Sequence, residues 1–221
     1  MGYRVVKYDL YGRGLSDAPN EPQTAAFFQR QLLDLLDYLE LSDGVTLMGY
    51  SMGGAIVTGF AATHRHRVDN VIMIAGAGIH INETMFEKLC RRLPLVGGWL
   101  SLAFVERGLR RDVLASDPAH PLTGLRLAQL DQAGYIPAVA SSGRYQLSDV
   151  QKSEHRILAQ EKVRLLAIWA ERDEIIPISA LGALAQWNRS AQQEVIKGAD
   201  HDVLSSHAEE VAEAIRELRA N

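Results

Sequence analysis

The pentapeptide Gly49-Tyr50-Ser51-Met52-Gly53 sets a hydroxyl between two glycines, after an apolar run at Gly44 to Met48 and before a small-residue run at Ala55 to Thr63. Glycines at those positions permit a sharp strand-to-helix turn that lifts the central side chain clear of the backbone, as an attacking group requires. The same residues in another context would be a glycine-rich turn with an incidental serine, so the flanking runs carry the argument. A serine hydroxyl is a poor nucleophile at neutral pH; it needs a base beside it, and the base needs an acceptor that fixes its tautomer. Asp173 lies in Glu171-Arg172-Asp173-Glu174-Ile175-Ile176-Pro177, directly after another apolar run, with Glu171 and Glu174 as alternative acids. His201 ends Gly198-Ala199-Asp200-His201, between Asp200 and Asp202, and His207 is a competing histidine. Ser51, Asp173 and His201 stand 122 and 28 residues apart, each beyond a candidate strand, in the order serine, acid, histidine.

Those side chains need a scaffold that brings distant strand ends together. Tyr3 to Tyr8 reads as a short strand, followed by a turn-rich loop through Pro19. Phe28, Leu32, Leu35, Leu36 and Leu39 recur at helical spacing. Gly44 to Met48, Val71 to Ala75, Arg164 to Ala170 and Gln193 to Ile196 read as strands, and Val211, Ile215 and Leu218 mark one face of a closing helix. The runs at Val71 and Arg164 are almost unbroken rather than alternating, as in strands covered on both faces. Strands alternating with helices predict an α/β fold with a mainly parallel sheet.

Gly78 to Lys162 is too long for a crossover loop and predicts a cap of short helices, giving a core at 1–77 and 163–221 and a helical cap insertion at 78–162. Phe86, Leu89, Leu93, Trp99, Leu102, Phe104, Leu125, Leu127 and Leu130 are its apolar positions. Most are expected in the cap's own core, with a few of Met85, Trp99, Leu102 and Phe104 lining an apolar acyl pocket. Cys90 reads as a small buried apolar residue, and Arg91-Arg92 and Arg110-Arg111 as solvated faces. His64 and His66 are two residues apart, on different helix faces, and suit a basic helix C-terminus better than a metal pair.

With 221 residues, 47% hydrophobic and 23% charged, the chain has globular composition, fits one domain with an insertion, and is neither disordered nor fibrous. A net charge of −4 and a pI near 6.0 offer no basic surface for a phosphate backbone, so nucleic acid is a poor partner and small molecules are favoured. One cysteine makes no internal disulfide, and Gly2 to Lys7 lacks the apolar run of a signal peptide, which together read as cytoplasmic. The uncharged stretch Leu93 to Val105 is too short to span a bilayer.

The chain resembles the α/β-hydrolase superfamily, specifically its lid-bearing esterases, lipases and related acyl or C–C bond hydrolases. The likeness rests on Gly2 to Val6 with Asp9-Leu10-Tyr11-Gly12-Arg13-Gly14-Leu15-Ser16, on Gly49 to Gly54, on Asp173 with Pro177, and on His201. It implies Ser51 as nucleophile, His201 as general base and then acid, Asp173 as its orienting partner, and the Met52 N–H as one oxyanion donor, with no cofactor. A serine at the nucleophile position sets the chain apart from the haloalkane dehalogenase and epoxide hydrolase branches. The resemblance also implies three earlier strands and a His-Gly loop, supplying the second oxyanion donor, that do not precede Gly2 here. The expectation is therefore that the strand at Val5 moves over to pair with that at Val45, that a homodimer covers what stays exposed, and that a backbone N–H in Leu10-Tyr11-Gly12 replaces the second donor. The implied function is hydrolysis of a carboxylic ester, on an uncharged or acyl-bearing small molecule. The alternatives are a C–C bond hydrolase of vinylogous diketones with the same triad, or a weakly active or inactive binding module.

Overall fold

Four of the apolar runs form one parallel sheet. The computed structural model describes residues 4–80, 96–115 and 122–220. Its strands are β1 (Val45–Tyr50), β2 (Val68–Ile74), β3 (Arg164–Ala170) and β4 (Gln192–Ile196), hydrogen-bonded in the order β1-β2-β3-β4. The helices are α1 (Ala25–Tyr38), α2 (Met52–Thr63), α3 (Val96–Ala115), α4 (Thr123–Leu130), α5 (Tyr135–Arg144), α6 (Lys152–Gln160), α7 (Ala180–Trp187), α8 (Val203–Ser206) and α9 (Ala208–Ala220). The expected α/β architecture is the one observed, and each sheet strand lies within a few residues of its predicted run.

The described residues fall into two compact units: a sheet unit of 32–80 and 147–220, and a helical unit of 4–31, 96–115 and 122–146. The sequence drew its boundaries at 77/78 and 162/163; among the described residues the sheet unit runs to 80 and resumes at 147, and 4–31 group with the helices.

In the sheet unit, α2 packs on β1 and β2, and α6 packs on α2, α7 and β3. On the other face Ile72, Ile74, Leu166, Ile168 and Ile196 form a core with Val211, Ala214 and Leu218 of α9. β2 and β3 are therefore buried on both sides, which is why their runs do not alternate. α2 approaches the sheet closely because a side chain at Gly54 would meet Met73 Cγ at 2.7 Å and Gly76 Cα at 2.8 Å.

The helical unit holds the turn-rich loop in place through side chains. The half-buried Arg13 guanidinium donates to the Tyr11 carbonyl, to Gln23 Oε1 and to Ser142 Oγ, and lies 5.7 Å from the Phe28 ring centroid. Burial lowers its pKa to about 10, leaving it a cation at neutral pH. Residues 4–10 carry no strand, so the expected pairing of Val5 with Val45 is not found, and β1 has β2 as its sole sheet neighbour among the described residues. Val5 is 75% exposed, and Asp9 is fixed by loop bonds instead of a ladder: its carboxylate accepts the Leu15 N–H, and its carbonyl accepts from Ser16 Oγ and Gln31 Nε2. In the same unit Leu130 is buried, but Phe104, Leu125 and Leu127 are exposed, contrary to the expected cap core. An amphipathic helix on a surface buries one stripe, and these three residues of α3 and α4 lie outside it. Met85, Phe86, Leu89, Cys90, Arg91, Arg92 and Leu93 lie outside the described residues, as does the side chain of Trp99.

His155 of α6 is fully buried near Trp187, their ring centroids 6.2 Å apart, and neither ring nitrogen has a hydrogen-bond partner among the described residues. Burial pushes its pKa from 6.5 down to about 4. The unfolded chain thus binds a proton that the folded chain refuses, so this group leaves stability intact above pH 6.5 and removes it as the pH falls toward 4. The expected loss is about 2 kcal/mol at pH 5 relative to pH 7. Urea unfolding of the wild type and His155→Leu at both pH values checks it: the variant's stability should fall by about 2 kcal/mol less between them, and parallel losses would assign the acid sensitivity elsewhere.

Candidate active site

Parallel strands deliver all three candidate side chains to one edge of the sheet. Ser51 follows β1, Asp173 lies three residues past β3, and His201 lies in the loop after β4. Ser51 is the turn between β1 and α2, with φ 52° and ψ −119°, in the left-handed region that costs a side-chain-bearing residue energy. Two bonds to the segment around the end of β2 hold it there: its N–H donates to the Ile74 carbonyl, and its carbonyl accepts from the Ala77 N–H, both at 2.9 Å. The two glycines of the pentapeptide differ in role. A Cβ at Gly49 would meet the Gly53 carbonyl oxygen at 2.1 Å, whereas one at Gly53 would meet nothing within 4 Å. Only the first is required by the turn.

His201 Nε2 lies 3.0 Å from Ser51 Oγ, and His201 Nδ1 lies 2.7 Å from Asp173 Oδ2. The Asp173 side chain has 0% exposure and the His201 side chain 20%. The second carboxylate oxygen, Oδ1, accepts the N–H groups of Ile175 and Ile176, each at 2.8 Å, so both oxygens are fixed and the acid has one orientation. A carboxylate accepts only, so the proton of the imidazole sits on Nδ1 and the Nε2 lone pair faces the serine hydroxyl. Met52 opens α2, and its N–H has no carbonyl one turn back within the helix.

The alternative acids are engaged elsewhere or unpaired with the histidine. Glu171 accepts the Gly198 N–H at 2.8 Å, tying the acid loop to the histidine loop, and Arg172 N–H donates to the Ala199 carbonyl at 2.8 Å. Asp200 accepts the Asp202 N–H, and His207 Nδ1 contacts Ser206 Oγ. The structure thus brings Ser51, His201 and Asp173 together. The loop expected to supply a second oxyanion donor does not have two of its N–H groups to spare: Tyr11 N–H donates to Gln31 Oε1 and Gly12 N–H to the Asp17 carbonyl. Sequence reasoning also missed Tyr50, whose hydroxyl donates to the His201 carbonyl at 2.6 Å; its place beside Ser51 was the available signal. A cleft of about 420 Å³ within the helical unit is lined by residues that include Pro19, Gln23, Pro137, Ser141 and Tyr145, and Leu102 and Phe104 do not line it. The described residues hold no cluster of metal-ligating side chains and no helix long and apolar enough to cross a membrane.

A family profile described as alpha/beta hydrolase fold matches residues 1–208. The chain belongs to that family. This α/β hydrolase is 24% identical over 216 residues to an uncharacterized protein of Mycobacterium tuberculosis, covering 90% of this chain and 62% of that relative's length. It is 28% identical over 228 residues to a 2-hydroxymuconate semialdehyde hydrolase of Pseudomonas putida, covering 98% of this chain and 77% of the relative. Among solved structures it is similar to an esterase from Thermogutta terrifontis, with a TM-score of 0.72 and 23% identity over 95% of this chain and 76% of that one.

The glycine asymmetry of the hydrolase turn gives opposite expectations for two conservative changes. Gly49→Ala is expected to destabilise by about 1–3 kcal/mol or more, because backbone has to shift. Gly53→Ala, inside α2, is expected to be neutral or stabilising by up to about 1 kcal/mol. Urea midpoints of the two variants measure the difference, and equal midpoints would refute the steric assignment.

Proposed function

We propose that this hydrolase cleaves carboxylic esters by acyl transfer through Ser51. One observation carries the reading: an unbroken hydrogen-bonded series, Ser51 Oγ to His201 Nε2 at 3.0 Å and His201 Nδ1 to Asp173 Oδ2 at 2.7 Å. In the forward step the hydroxyl attacks the ester carbonyl as its proton passes to Nε2, and Asp173 stabilises the imidazolium that results. The Met52 N–H, at the positive end of α2, donates to the developing oxyanion. Collapse of the tetrahedral intermediate expels the alcohol, which takes the proton from Nε2 and leaves an acyl group on Ser51. Water, deprotonated by the same nitrogen, then releases the acid and restores the hydroxyl. The substrate class is an uncharged or acyl-bearing small molecule, with the insertion at 78–162 as the segment that selects among substrates.

The name of the P. putida relative favours a second reading for the same residues, hydrolytic C–C cleavage of a vinylogous diketone. A panel of short activated esters beside a ring-cleavage dione separates the two by their kcat/KM values. Under the first reading, wild type turns over the esters and is labelled at Ser51 by a fluorophosphonate, Ser51→Ala falls to background, and Asp173→Asn loses about 10⁴-fold in kcat because the tautomer is no longer fixed. Equal rates for wild type and Ser51→Ala would overturn both readings. Neither turnover nor labelling would leave a binding module.

A further inference from the structure

The proposed reaction works only while the imidazole of His201 stays within reach of Ser51 Oγ, and the loop that carries it begins at a glycine in the left-handed region. Gly198 has φ 73°, and a Cβ there would meet nothing within 4 Å. Bonds from Glu171 and Arg172 fasten the loop at Gly198 and Ala199, before the histidine. After it, the Asp202 carbonyl accepts from the N–H groups of Ser205 and Ser206. Between these anchors the His201 carbonyl accepts from the Tyr50 hydroxyl at 2.6 Å, and the Tyr50 ring lies 5.3 Å from the imidazole at an interplanar angle of 33°. Tyr50 is the last residue of β1, paired with Ile74 of β2, and one peptide bond from Ser51.

We propose that Tyr50 is a positioning residue of this site, its hydroxyl clasping the backbone of the base to the strand that carries the nucleophile; the inference rests on the serine hydrolase reading. Ser51 and His201 come from strands separated by β2 and β3, so their contact otherwise depends on three successive ladders and a loop. The phenol spans that gap with one side chain. Because its own backbone is locked in β1, motion of the elbow carries the clasp and the serine together. Misplacement of reacting groups by about 1 Å costs on the order of 10²-fold in rate, so removing the clasp acts on turnover and leaves substrate binding alone.

Tyr50→Phe deletes one oxygen and keeps the ring. Its kcat on the best ester of the panel is expected to fall roughly 10- to 100-fold with KM within about twofold of wild type. The low-field proton resonance of His201 Nδ1–H is expected to broaden or vanish in the variant. A kcat within about twofold of wild type together with an unchanged resonance would overturn the proposal. So would a loss confined to KM. If wild type turns over no ester, the resonance still decides: its loss in Tyr50→Phe supports the clasp, its persistence refutes it, and the missing turnover counts against the hydrolase reading alone. Should Tyr50→Phe fail to fold, Tyr50→3-fluorotyrosine keeps the packing and strengthens the donor. The His201 carbonyl carbon and the Nδ1 proton are then expected to shift together, and a carbonyl shift without a ring response would refute the coupling.

Discussion

Everything at the site depends on one backbone conformation that a serine does not adopt unaided. At φ 52° the turn at Ser51 is unfavourable in isolation, and it persists because the surrounding segments over-determine it. Ile74 and Ala77 hold its two peptide groups from one side, the absence of a side chain at Gly49 lets the first turn of α2 close down on it, and Gly54 lets the same helix lie against Met73 and Gly76. The strain projects the hydroxyl beyond the strand end. It also places the start of a twelve-residue helix directly after the serine, so that one turn presents both the Ser51 hydroxyl and the Met52 N–H, the two groups given roles in the proposed reaction.

The acid and the base are organised by a different means. Asp173 is kept from solvent, with both oxygens bonded, and it fixes the imidazole through contact geometry rather than through net charge in the surroundings. The bonds from Glu171 and Arg172 to the loop at 198–199 tie the segment that carries the acid to the loop that carries the histidine. Elsewhere in the sheet unit the opposite choice has been made: His155 is buried with no partner for either nitrogen among the described residues, and it stays neutral because desolvation leaves it no alternative. Two histidines of one sheet unit thus differ in surroundings: one has a carboxylate at 2.7 Å, and the other is buried with no hydrogen-bond partner among the described residues.

The sheet was legible because both-face burial leaves an unmistakable pattern: Val71 to Ile74 and Leu165 to Ala170 are continuous apolar runs in the sequence and continuous buried runs in the fold. The three residues that meet at the sheet edge were legible because each follows a candidate strand, and parallel strands end at a common edge. What failed was local reading without knowledge of partners. Tyr3 to Tyr8 has strand-like residue types, yet a strand exists only if a neighbour accepts its hydrogen bonds, and residues 4–10 instead lead into a loop built on Asp9 and Arg13. The helical segment was harder still, since Phe104 and Leu125 look like core residues in sequence and are exposed in the fold. The Tyr50 contact was hidden for a related reason: it joins a strand end to a loop 151 positions later, a separation that no periodicity encodes.

The two halves of the site ride on opposite sides of a single ladder. Ser51 moves with β1 and β2, while Asp173 and His201 move with β3 and β4, and the pairing of Asn70 through Ile74 with Arg164 through Ile168 fixes their alignment. A slip of that pairing by one residue would translate the hydroxyl relative to the imidazole by about 3.3 Å and invert every side chain of the sliding strands. The vernier that sets the distance from Ser51 to His201 is thus the apolar zipper between Ile72 and Leu166 in the middle of the sheet, remote from both side chains.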